Sequence, residues 1–234
     1  MSDLVDKILP DGCIHLLGGP TGAGKTRWLL DMLLNWERGE KVFGLESHPV
    51  PWAYVVGDRS ERETRSTIAS LGIPQERIPL IPAFAPTLTV NQIFEAVEKT
   101  PARLIVWEGF GGYTDRLDGH AVKNWLSSIT TMIQRDRRKE LRANPLTIIG
   151  VTEQPKMKPN DRYSNPRQRI SGAAAWGHCS STILMIDPWD VEDPTGPLRR
   201  FGIYPRNHRD MEFKASLEDG HLRILESVSH TKHK

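Results

Sequence analysis

Short unbroken apolar runs alternate along the chain with longer stretches in which apolar residues recur every three or four positions. The runs at Ile14–Leu17, Ala53–Val56, Leu104–Trp107, Thr147–Val151 and Thr182–Ile186 read as core strands of an α/β sheet, the continuous ones as buried parallel strands. A further short strand is predicted over Ile78–Ile81, before a Pro-rich loop around Pro82 and Pro86. Helices are predicted from Thr26 to about Gly39, over 61–72 with Ile68 and Leu71 inward, over 91–99, and over about 121–141. The first is heavily apolar (Trp28, Leu29, Leu30, Met32, Leu33, Leu34, Trp36), with Gly39 as its C-terminal stop. A short helix starts at Ser171–Ala175. The apolar stretches 199–204, 211–215 and 221–225, separated by Asn207 and Asp219-Gly220, predict a meander of strands. Residues 1–12 read as a polar lead-in, able also to pack on a neighbouring subunit, and 229–234 as a frayed tail.

Between the first strand and the first helix lies Gly19-Pro20-Thr21-Gly22-Ala23-Gly24-Lys25-Thr26, a phosphate-binding P-loop by its spacing. Its glycines let backbone N–H groups turn onto phosphate oxygens, and the helix beginning at Thr26-Arg27 presents its positive end to the same charge. Lys25 would reach the β- and γ-phosphates of ATP, and the Thr26 hydroxyl would complete the shell of Mg2+.

Three further side chains stand just past predicted strands, at the edge where open α/β sheets bind ligands. Asp58 can polarise an attacking water, or cap the helix that starts near Ser60. Glu108 follows the Leu104–Trp107 strand, where an acid orders the Mg2+ water shell. Gln154 can sense the γ-phosphate, or satisfy backbone groups in its turn. From 156 to 169 the chain carries five basic residues (Lys156, Lys158, Arg162, Arg167, Arg169) against Asp161, with Tyr163 among them, and reads as a surface loop. The RDRRKELR stretch at 135–142 reads as a solvated face in preference to a binding patch.

At 234 residues the chain suits one domain, and a net charge of +2 does not by itself announce a nucleic-acid partner. No apolar run approaches the ~18 residues of a membrane span, so a cytoplasmic protein without a membrane partner is expected. Cys13 and Cys179 lack partners at metal spacing and read as buried free thiols.

The order of these pieces resembles the RecA-like ATPases, most closely the hexameric replicative helicase motors of the plasmid RepA and DnaB type. GEKVFGLESHPVPWAYVVGDRS looks like the family's second-strand segment, with Asp58 at the position of the water-activating acid, where Glu is usual. LIVWE resembles the Walker B strand, with Glu108 in place of the common Asp; VTEQPK resembles the strand ending in a sensor Gln; ISGAAAWGHCSSTILMI is similar to the Ser-Gly segment before the next strand. FGIYPRNHRD looks like the closing hairpin that carries Lys-x-Arg-Asn, with Tyr204 at the Lys position and Arg206-Asn207 matching. The resemblance implies a mostly parallel RecA-like sheet over 13–228 with a C-terminal β-hairpin or meander, ATP and Mg2+ as cofactors, and assembly into a hexameric ring or filament. It also implies Arg206 as a finger in the neighbour's ATP site. The segment 155–170 falls where such proteins contact DNA, so its cations and Tyr163 are expected to bind single-stranded DNA, or else to meet an acidic neighbour. A helicase-like motor is the leading expectation, with a recombinase-like filament former and a KaiC-like ATPase acting on a protein partner as alternatives.

Overall fold

The computed structural model describes residues 3–57, 59–74, 78–82, 89–113, 119–138, 146–153, 179–190, 192–193, 195–218 and 221–228. Its main sheet contains β3 (Ile14–Gly18), β4 (Trp52–Val56), β5 (Leu80–Pro82), β6 (Leu104–Trp107), β7 (Thr147–Val151), β8 (Thr182–Pro188), β9 (Leu198–Pro205), β10 (Met211–Glu218) and β11 (His221–Ser227). The spatial order is β11-β10-β9-β8-β3-β7-β6-β4-β5, in which β8 through β5 run parallel and β9, β10 and β11 extend the sheet antiparallel. The predicted meander is therefore part of the same sheet as the P-loop strand.

Helices cover both faces, which is why the parallel strands read as unbroken apolar runs. Successive strand residues point to opposite sides: Tyr54 and Val56 join the core that includes α1 (Lys25–Glu37) and Ile68 of α2 (Glu61–Ser70). Ala53 and Val55 join the core under α3 (Val90–Glu98) and α4 (Gly119–Arg138). Local chemistry sets the helix starts. Ser60 with Glu63, and Thr89 with Gln92, form reciprocal capping boxes. None of the described helices is long and apolar enough to cross a membrane.

The N-terminal residues depart from the polar lead-in expected of them. β1 (Asp3–Val5) and β2 (Leu9–Pro10) pair as a small antiparallel sheet, and Leu4, Val5, Ile8 and Leu9 are buried in the chain's own core. Too few consecutive residues alternate here for a period to show, so only tertiary burial reveals the pattern. The segment is tied down by the Thr182 hydroxyl, which donates to the Ile8 carbonyl, and by Asp11, which accepts from Arg103 Nη2 at 2.7 Å and Thr147 Oγ1 at 2.8 Å. The two thiols are free but only partly buried.

Beneath this segment His15 is fully buried, with Nε2 donating to the Pro10 carbonyl at 3.0 Å. Burial pulls its pKa from 6.5 down to about 4, so the imidazole is neutral in the native state. The folded pKa lies below the unfolded one, so between them the unfolded chain holds more protons and stability falls as the pH drops from 6.5 towards about 4. The loss should reach on the order of 3 kcal/mol at the acid end. Chemical denaturation of wild type and His15→Gln across that range should show a shallower pH slope in the variant; equal slopes would assign the acid sensitivity elsewhere.

Candidate active site

The P-loop leaves the carboxyl end of β3 and feeds α1, whose first residues are Lys25 and Thr26. Gly24 precedes the helix with φ 91°, a left-handed conformation, and a Cβ there would also overlap the Leu217 side chain. The helix start carries no side-chain cap, so its amide donors remain available to a ligand.

A cleft of about 460 Å3 opens over this loop, lined in part by Thr21, Gly22, Lys25, Thr26, Arg27 and Arg59. Lys25 is almost buried and folds back, Nζ donating to the carbonyls of Gly19 at 2.8 Å and Pro20 at 3.0 Å. On the cleft floor Thr26 Oγ1 donates to Glu108 Oε1 at 2.5 Å. This links the P-loop helix to the end of β6, although β7 lies between β3 and β6. On the other side of β6 the end of β4 also packs closely, since a Cβ on Gly57 would collide with the Glu108 carbonyl. Glu108 is 1% exposed, and among the described residues its Oε2 has no hydrogen-bond partner. On the far wall Thr21 Oγ1 donates to Glu153 Oε1 at 3.1 Å, which brings the end of β7 against the loop.

Two functional neighbours were not evident in the sequence. Arg59 lies with Nε 3.4 Å from Glu108 Oε1, and its Nη2 donates to Thr26 Oγ1 at 3.3 Å. The signal for it was only its place just past the β4 strand. Arg199 of β9 is buried beside the loop: Nε donates to the Ala23 carbonyl at 3.2 Å, while Nη1 donates to the Leu198 carbonyl at 2.9 Å and to that of Gly196. Burial lowers its pKa, with the Asp193 charge opposing the shift. An arginine at the head of a predicted meander strand gave no hint of this bracing role.

The structure thus brings together the P-loop residues 19–27, Glu108 and Glu153, and it puts Arg206 elsewhere. Pro205 pairs with Thr182 at the start of β8, whereas Gly18, the last residue before the P-loop, pairs with Met185. Arg206 is exposed, its amide donating to the Ser181 carbonyl at 2.8 Å, at the amino edge of the parallel strands, opposite to the cleft. Tyr204, at the family's Lys position, is buried with its hydroxyl donating to Glu212 Oε1 at 2.7 Å, so the turn presents Arg206 and Asn207 without that second cation. Asp58, Gln154, Lys156, Lys158, Arg162, Tyr163, Arg167 and Arg169 lie outside the described residues. The cap of α2 is Ser60, so the helix start does not need Asp58.

A P-loop at the carboxyl edge of a parallel sheet, with its strand separated by one other from the strand bearing the buried acid, defines a RecA-like P-loop fold. Residues 1–106 match a family model described as an AAA domain. No curated protein matches the chain. Among solved structures, it is similar to a KaiC-like protein from the hyperthermophilic archaeon Pyrococcus horikoshii OT3, with 17% identity, a TM-score of 0.66, and coverage of 95% of this chain and 94% of that one.

Proposed function

We propose that this chain is an oligomeric ATPase that completes its sites between subunits and couples turnover to single-stranded DNA, as a helicase-like motor. The observation that carries ATP hydrolysis is the Thr26–Glu108 pair on the floor of the P-loop cleft. A buried carboxylate beside a hydroxyl, with one oxygen that has no hydrogen-bond partner among the described residues, suits a hard divalent cation, so the residues fit Mg2+. When bound, Mg2+ would neutralise phosphate charge. The backbone of residues 19–24 wraps the phosphates, and Lys25 exchanges its two carbonyl partners for phosphate oxygens. Asp58 orients the attacking water, Gln154 contacts the γ-phosphate, and Arg206 of a neighbouring subunit offsets charge as that group leaves.

The DNA assignment rests on the five cations and Tyr163 between 156 and 169, which suit a phosphate track and a stacking platform. A second reading, in which turnover remodels a protein partner, draws support from the structural likeness to a KaiC-like protein. ATPase rates measured with and without single-stranded DNA, together with particle mass, separate the two. Stimulation by DNA is expected of assembled particles; rates indifferent to DNA would favour the protein partner. Replacing Lys156, Lys158, Arg167 and Arg169 by Ala should weaken DNA binding and reduce its log–log salt slope by up to about 0.7 for each phosphate no longer neutralised. An unchanged slope would make the segment an interface element.

A further inference from the structure

Arg59 places a guanidinium against Thr26 and Glu108, the two groups proposed above to hold the metal. Its Nη2 donates to Thr26 Oγ1 at 3.3 Å and its Nε stands 3.4 Å from Glu108 Oε1. The Glu108 side chain is 1% exposed, whereas that of Arg59 is 42% exposed. The carboxylate is thus fixed in the floor of the cleft, while the cation reaches it from the open side. Leaving a carboxylate buried with no cation would be costly, so Glu108 gains from a positive group at this position. A divalent cation brought in with nucleotide phosphates needs the same hydroxyl and the same carboxylate.

We infer that Arg59 is a placeholder cation that competes with nucleotide-borne Mg2+ for Thr26 and Glu108. The inference rests on the proposed nucleotide site. The Arg59 contact offsets the charge of Glu108 and opposes metal-loaded nucleotide by the strength of the interaction that must be broken. Nucleotide without metal does not need the exchange. Arg59 therefore sets how strongly nucleotide affinity depends on Mg2+, a property separate from catalytic rate.

The test is ADP binding by calorimetry to wild type, Arg59→Met and Arg59→Lys, each in excess Mg2+ and in EDTA. Methionine keeps much of the length without the charge. Arg59→Met should bind ADP about tenfold more tightly in Mg2+ and nearly as wild type in EDTA, because the competitor for the metal's ligands is gone. Arg59→Lys, which retains a cation, should lie closer to wild type in both buffers. Unchanged or weaker ADP binding by Arg59→Met in Mg2+ would overturn the placeholder role: weaker binding would make Arg59 a phosphate ligand or a prop for Glu108. Failure of wild type to bind ADP in either buffer would overturn the nucleotide site itself, and the placeholder with it.

Discussion

Lys25→Ala is expected to remove ATP hydrolysis, by about 10²- to 10³-fold or more, while leaving the fold in place. Lys25 is the P-loop's own cation, and its Nζ now spans the carbonyls of Gly19 and Pro20 beneath the cleft. An ammonium held by two neutral carbonyls can be transferred to phosphate oxygens, where charge-assisted hydrogen bonds are stronger. Alanine keeps the helix start and its backbone donors, so some nucleotide affinity should survive, but no fixed charge would meet the β- and γ-phosphates. The space vacated by the Lys25 side chain opens on the cleft and can be filled by water, so the unfolding midpoint should move by no more than a few degrees. Steady-state turnover and thermal unfolding of the same preparation check both halves. Undiminished hydrolysis in a folded variant would remove the P-loop from the chemistry.

Arg206→Ala should lower turnover by about 10³-fold or more with nucleotide affinity nearly kept, if it is a full finger acting on the transition state. Its position makes a role in its own site geometrically remote. The levels of Thr182, beside Pro205, and Met185, beside Gly18, are separated by roughly 10 Å of strand, and the P-loop and the Arg206 turn leave from opposite edges. Mixing Arg206→Ala with Lys25→Ala protein should then restore some hydrolysis, at interfaces that pair an intact P-loop with an intact arginine. Neither variant alone forms such an interface. Because Arg206 is exposed, its removal should cost little stability, which keeps a loss of rate interpretable. Mixed particles with proven subunit exchange and no recovered hydrolysis would place catalysis within a single chain.

Much of the cleft could be read from the sequence because its parts are local. The P-loop spacing, the heavily apolar first helix and the runs that became β3, β4, β6, β7 and β8 each depend on neighbouring residues alone. Glu108 was found because acids at strand ends are brought to one edge by any parallel arrangement, and it does meet Thr26. Asp58, Gln154 and the cations of 156–169 rest on the sequence and its family resemblance, since they lie outside the described residues.

Other features needed the folded chain. Burial of Leu4, Val5, Ile8 and Leu9 depends on surfaces contributed by distant segments, and so does the neutrality of His15. Arg59 and Arg199 are ordinary basic residues in the sequence; one becomes the partner of a buried acid and the other a brace on the Ala23 carbonyl only after strands far apart in the chain are paired. What the sequence by itself determined was the phosphate cradle and the strand-helix alternation, because backbone propensity and side-chain period act over a few residues. Strand order and register decided which charges share the cleft and which edge holds Arg206, because those depend on pairing between distant parts of the chain.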